Sequence, residues 1–359
     1  MKPGQAAFLS ATVPRAALLD KLELCCLLKP SLRVMFGALV EARQDCLTIA
    51  ADNFEILCRV EVPARIEREG SIAFSAQRLF KLLDNADGDE VVIRAKDDKS
   101  LEVTCGGLFS TLACGPVSDF PRRPAWPVEA TFEIPNTRAA LAWLSPVITD
   151  DAQHQGIHFI GDGQTLRIEA VDGRQLHHVA IESSAVVNAI APANLIRLVK
   201  AFEADGGCMV EISERTISFR TEKILICLQL LQGEFPDTSR VIPSPSDKLL
   251  TLPKAALENA LKAAGAVIEK NFGSGAVNVS VKPASTTIRT DRCTLGSVET
   301  VIETSNPFEV DFRIDPVRLL NALKPIDGDE VAIQCNDPLG PACIHYGTFL
   351  ALIALMRAP

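Results

Sequence analysis

Two kinds of apolar stretch take turns along this chain. The first recurs at three- and four-residue spacing, as an amphipathic helix requires. Three such stretches share one opening: Val13-Pro14-Arg15-Ala16-Ala17-Leu18-Leu19, Ile134-Pro135-Asn136-Thr137-Arg138-Ala139-Ala140-Leu141 and Leu252-Pro253-Lys254-Ala255-Ala256-Leu257. Proline in a first helical turn forfeits no hydrogen bond, so each predicts a short helix that begins there. A second helical pattern, Phe74 to Leu83, returns at Ile190 to Val199 and at Ile314 to Leu323. Both patterns repeat at a period of about 120 residues, which marks an internally repeated chain. The turn-forming pentapeptide Asp-Gly-Asp-Glu-Val follows the first and third copies, at 87–91 and 327–331.

Stretches of the second kind are short, and they alternate or run apolar between Gly, Asp and Asn punctuation. Cys46–Ala51, Val91–Ala95, Leu166–Val171, Thr216–Arg220, Ala276–Val281 and Val331–Cys335 therefore predict strands. Each repeat reads as helix, strands, helix, strands: an α+β unit with two helices packed on antiparallel sheet. Proline-rich text beginning at Phe120-Pro121 and Phe235-Pro236 separates the repeats, which places domains at 1–127, 128–247 and 248–359.

A length of 359 residues fits two or three domains, each able to bury a core. The net charge of −9 argues against a broad basic coat for nucleic acid or anionic membrane, but not against a local basic patch. The charges are uneven. Six helical windows, 15–26, 76–84, 136–147, 192–203, 253–266 and 315–324, hold eleven basic residues against six acidic ones, whereas the whole chain has 36 against 45. Helices sharing one mildly cationic surface would attract phosphates without reading bases.

Candidate chemistry is sparse. The eleven cysteines are odd in number and lack Cys-x-x-Cys spacing, which fits reduced, buried thiols in a cytoplasmic protein. No apolar run reaches the length of a spanning helix. Phosphate-loop, dinucleotide and nucleophile-elbow motifs are all missing. One alternative remains, a metal-dependent hydrolase built on Asp150, Asp151, His154 and His158, although Gly156 interrupts the helical spacing of the two histidines. His177 and His178 adjoin, so on a strand they face opposite ways.

The repeats, and above all Gly233-Glu234-Phe235-Pro236-Asp237-Thr238-Ser239-Arg240-Val241-Ile242-Pro243, resemble the bacterial sliding clamp, the beta subunit of DNA polymerase III. That family carries a Gly-Arg-Phe-Pro-Asp-Tyr-x-Arg-Val-x-Pro stretch. Glu169 to Leu176 is similar to its Ala-Thr-Asp-Gly-His-Arg-Leu, and Lys29-Pro30-Ser31-Leu32 resembles its Arg-Pro-Thr-Leu loop. The resemblance implies the DNA-clamp fold and a ring-forming, head-to-tail homodimer around duplex DNA. It also implies a processivity factor with no catalytic site, no cofactor and no metal, whose partners are the polymerase III alpha subunit, the clamp loader and other polymerases and repair proteins.

By the same resemblance, Lys29, His154, Gln155, His158 and Phe159 match DNA-contacting positions, with tyrosines usual where His158 and Phe159 stand. A pocket for a Gln/Leu/Phe-type motif, between the second and third domains, matches Ile160, Val171, Gly173, Arg174, Gln175 and Leu176. It continues through Pro236, Arg240, Val241, Leu352, Ala354 and Met356. Such a pocket, rich in Ile, Val, Leu and Met, suits two hydrophobic anchors. Ring closure matches Gln77, Arg78 and Phe109 at one edge and Ala266 and Val267 at the other. The chain ends Ala354-Leu355-Met356-Arg357-Ala358-Pro359 where the family commonly ends Met-Pro-Met-Arg-Leu, which points to altered partner choice.

Overall fold

A computed structural model describes residues 9–28, 36–148, 156–203, 206–244, 248–268, 275–290, 296–335 and 340–357. Its five α-helices are α1 (Arg15–Cys26), α2 (Ala76–Asp84), α3 (Thr137–Leu144), α4 (Lys254–Val267) and α5 (Pro316–Leu323). Where a sixth was expected, Ala193–Ala201 winds as a 3-10 helix. The prolines of the helical openings fall one position earlier than expected. Pro14 and Pro253 cap α1 and α4 from outside, with φ of −57° and −60°. Proline's ring fixes φ near those values, so the chain is already bent for helix entry. Asp315 caps α5 in the usual way, accepting hydrogen bonds from the backbone N–H of Val317 and Arg318.

By density of contacts the chain separates into two compact units, one of 1–138 with 197–230 and the other of 139–196 with 231–359. Both cut through the middle repeat, so compactness and sequence repetition divide the chain differently. In the first unit, strands run 65–68, 9–14, 90–95, 100–105, 108–113 across a five-stranded sheet. Its eight-stranded sheet runs 128–134, 208–213, 216–220, 224–229, 56–63, 46–52, 38–43, 70–74. The second unit holds another eight-stranded sheet, 186–192, 156–162, 165–171, 175–182, 349–354, 341–346, 330–334, 249–253. A four-stranded sheet, 299–303, 285–290, 277–282, 310–314, completes it. All the pairings are antiparallel, and α1 packs with α2 as α4 packs with α5.

The repeats share this pairing: Val13 pairs with Val91, Ile134 with Cys208 and Leu252 with Val331, so each repeat's first strand lies beside the strand that follows its second helix. The Asp-Gly-Asp-Glu turns hold this in place. Arg15 N–H donates to Asp89 O (2.7 Å) and Lys254 N–H to Asp329 O (2.8 Å). The side chains of the same two residues also donate to backbone carbonyls, Arg15 to Leu83 and Lys254 to Ile326. Two of the basic residues counted on the helices therefore bind their own repeat.

The proline-rich stretch after the first repeat is pinned as well. Arg123 grips Asp52 with two hydrogen bonds, 2.6 and 2.8 Å, and Asp52 is 3% exposed. Removing one member of a largely buried pair leaves the other's charge uncompensated. Asp52→Asn is therefore expected to cost roughly 2–4 kcal/mol of unfolding free energy, read from the denaturant midpoint. A cost below about 0.5 kcal/mol, the level of an exposed pair, would contradict this role.

Candidate functional site

The hairpin joining strands 165–171 and 175–182 forms one rim of a cleft. Gly173 sits at φ +81°, a left-handed conformation that costs glycine nothing, and the cleft opens beside it. Asp172 fixes the turn: its Oδ1 accepts from the N–H of Arg174 and of Gln175, both at 2.8 Å, and Arg318 of α5 donates to its Oδ2. Burial alone would raise the Asp172 pKa. The Arg318 bond and the two N–H donors outweigh it and hold the carboxyl below the usual range. Gln175 is anchored in turn by donating to Pro146 O at 2.9 Å.

Register places Leu176 opposite Leu352 where the two halves of the sheet meet. With Cys343 and Leu350 they form a buried apolar cluster against which Val171 and Ile242 pack. Above it lies a cleft of about 430 Å³, walled by Arg174, Arg240, Val241, Gly340, Pro341, Ala354 and Leu355. Val241 is 53% exposed although apolar. An apolar floor with a rim of two arginines is a place for hydrophobic side chains to dock. Burial pushes the Cys343 thiol in the floor up to about 12, away from an activated nucleophile. Among the described residues, no group of three or more His, Cys, Asp or Glu is placed to hold a metal ion.

Behind the floor, the strands are locked together from the other face. Trp143 Nε1 donates to Leu350 O at 3.1 Å, and His177 Nδ1 donates to Trp143 O at 2.7 Å. His177 is fully buried and His178 half-buried, on opposite faces as the strand alternation predicts.

The structure brings together nine of the twelve proposed pocket residues: Val171, Gly173, Arg174, Gln175, Leu176, Arg240, Val241, Leu352 and Ala354. Ile160 and Pro236 instead line a separate cavity of about 360 Å³, and Met356 lines a third. Gly340, Pro341 and Leu355 were missed. None of the three is among the positions that the family resemblance supplies.

Two residues proposed to contact DNA are buried. Phe159 is 0% exposed and packs inside the unit. His158 is 5% exposed, held between Glu169 (Nδ1 to Oε1, 2.9 Å) and Asn188 (Nε2 to Oδ1, 2.8 Å), with Phe235 stacked on its ring at 4.5 Å. Thr238 also donates to Glu169 at 2.9 Å, so this network ties down the motif that carries Arg240 and Val241. His158 is thus committed to structure, and nothing supports the hydrolase alternative, whose Asp150, Asp151 and His154 lie outside the described residues. Lys29 and Gln155 lie outside them too. Of the proposed ring-closing residues, Phe109 is 67% exposed on an edge strand, and Arg78 and Ala266 are exposed. Gln77 and Val267 are half-buried.

No protein-family profile matches the chain. The fold itself is that of the sliding clamps. The solved DNA polymerase sliding clamp of Bacillus subtilis superposes with a TM-score of 0.86 at 18% identity, covering 98% of this chain and 100% of that one. A sliding clamp of Pseudomonas aeruginosa bound to griselimycin gives 0.86 at 21%, again covering 98% and 100%. In sequence, the chain is similar over most of its length to the beta sliding clamps. That of Haemophilus influenzae is 25% identical over 330 residues, spanning 88% of this chain and 89% of its own length. That of Vibrio cholerae is 23% identical over 337 residues, spanning 88% and 89%.

The lock behind the cleft titrates. Burial pushes the His177 pKa down to about 4, against the hydrogen bond to Trp143 and the charge of Asp172. Between pH 6.5 and 4 the unfolded chain takes up a proton that the native chain refuses. The stability due to neutral His177 is therefore intact above pH 6.5 and is lost as pH falls toward 4, by about 3 kcal/mol at most. His178, also pushed down to about 4 by burial, acts in the same direction. Unfolding free energy measured across this window should fall, and His177→Gln should flatten the fall. An unchanged slope in the variant would contradict it.

Proposed function

We propose that this protein is a DNA sliding clamp: two copies join head to tail around duplex DNA, and the cleft docks peptide motifs of the polymerase and other DNA-processing proteins. We likewise propose three domains, at 1–127, 128–247 and 248–359. One observation carries the reading, a matched pair of open sheet edges. In every repeat the last strand is 108–113, 224–229 or 349–354, and the third strand of the preceding group is 56–63, 175–182 or 299–303. Strand 224–229 pairs with 56–63, and 349–354 pairs with 175–182. The remaining two, 108–113 and 299–303, are edge strands of the five- and four-stranded sheets.

An edge strand offers a row of unpaired N–H and C=O groups. These two also expose large apolar side chains, Phe109 at 67% and Val301 at 59%. Strand 108–113 of one protomer joined to 299–303 of its partner would repeat a junction the chain already makes twice. Phe109, Arg78 and Gln77 from one side and Ala266 and Val267 from the other are the proposed interface residues.

For DNA, the helical segments keep Arg78, Lys81, Arg138, Arg197 and Lys200 exposed, after Arg15, Lys254 and Arg318 are committed to the protein itself. Lys29, His154 and Gln155 are proposed to add loop contacts. Diffuse, exposed cations hold phosphates without fixing register, which permits sliding. The proposed activity needs no cofactor and no reaction of its own. It belongs with the chromosome in the cytoplasm, and no described helix is long and apolar enough to cross a membrane.

Protein assembled on nicked circular duplex and then moved to high salt should stay bound, and it should be lost once the circle is cut to a linear form. Salt contacts alone would release both forms together, and that result would exclude encirclement.

A further inference from the structure

A groove of about 660 Å³ lies apart from the cleft. It lies on the four-stranded sheet of the second unit. Along strands 277–282 and 285–290, Val277, Val279, Val281 and Ile288 point into the core. The alternate positions, Asn278, Ser280, Lys282, Thr287 and Arg289, line the groove instead. Arg313 and Arg357 complete a set of four cations; Asp311 is the carboxylate within the lining, and Glu299 stands directly across from Arg289 on the neighbouring strand. The Asp311 carboxylate is already hydrogen-bonded by the Ser280 hydroxyl. Among the described residues, neither Lys282 nor Arg289 is held in an ion pair, and both are exposed.

The groove is joined to the cleft by one stretch of backbone. Ala354 N–H donates to Arg174 O, and Met356 N–H donates to Arg313 O, each at 2.8 Å. Ala354 and Leu355 wall the cleft, while Met356 and Arg357 wall the groove. Arg313 Nη1 also donates to Arg357 O at 3.0 Å, which holds this shared wall against the sheet.

We propose that the groove receives an acidic segment adjoining the hydrophobic anchor of a partner peptide, so that recognition has two parts: apolar side chains in the cleft, and carboxylates on Lys282, Arg289, Arg313 and Arg357. This rests on the reading of the cleft as a peptide site and names the chemistry of its partners. Charge complementarity and the common wall select an acidic peptide, since a chain leaving the cleft over residues 355–357 enters the groove directly.

The test uses the full protein and three labelled peptides. One carries a Gln-Leu-Ser-Leu-Phe anchor alone, one the anchor extended by alternating Asp and Glu, and one the anchor extended by Gly and Ser. Each is made with the extension on either end, and binding is followed by fluorescence anisotropy. The acidic extension should tighten binding roughly five- to tenfold over the Gly/Ser one at low salt, and the gain should vanish at high salt. In the Lys282→Ala/Arg289→Ala double variant the gain should be lost while the anchor binds as before, which also shows that the variant is folded. If the anchor binds but acidity adds nothing, or adds equally to the variant, the groove proposal is overturned and the cleft stands. If the anchor fails to bind the unaltered protein, the peptide-site reading falls and the groove proposal falls with it.

Discussion

Two strand-edge pairings between repeats organise this molecule. Backbone N–H and C=O groups left bare are a standing invitation to association. The chain answers it twice internally, once where 224–229 meets 56–63 and once where 175–182 meets 349–354. Each junction fuses strands from two sequence repeats into one continuous eight-stranded sheet, so the repeats are joined by main-chain hydrogen bonds as well as by linkers. This explains why the compact units do not follow the repeat boundaries. A sheet that crosses a boundary draws both sides into one packed body.

The cleft follows from the second junction. Where two half-sheets meet, Leu176 and Leu352 come together across the strands, and the turn at Asp172 and the segment at Ile242 close over them. The support beneath is polar and specific: Trp143 and His177 bond the two strands from behind, and Arg318 reaches from α5 to Asp172. The apolar floor supplies affinity for hydrophobic side chains, and the polar scaffold fixes where that floor is offered. A cleft at a sheet junction therefore costs the fold little beyond a few ordered side chains.

Much of this was legible in the residues. Proline before an Ala/Leu run marks a helix entry because its φ suits that entry, and α1, α2, α4 and α5 begin and end within one residue of expectation. The Asp-Gly-Asp-Glu turns signalled the strands at Glu90 and Glu330 and proved to anchor the neighbouring helices. Other features were hidden. Pattern alone does not separate α from 3-10 winding, so Ala193–Ala201 was misjudged. Charge counting treated Arg15, Lys254 and Arg318 as surface, whereas each is bonded to its own fold. His158 and Phe159 matched a family position yet lie on a strand whose two faces are both covered, a fact only tertiary packing supplies. The resemblance of Glu169–Leu176, Gly233–Pro243 and the C-terminal stretch to the family's own stretches supplied nine residues that line one cleft here.

In the proposed ring, the two open edges, 108–113 and 299–303, complement each other and close after two copies. A head-to-tail interface gives a ring if the rotation closes and an open polymer if it does not. Sedimentation equilibrium over a wide range of protein concentration distinguishes these outcomes. The account predicts a mass that rises to twice 38.7 kDa and then stays there. A single-chain mass at every concentration, or one that climbs steadily beyond two chains, would contradict it.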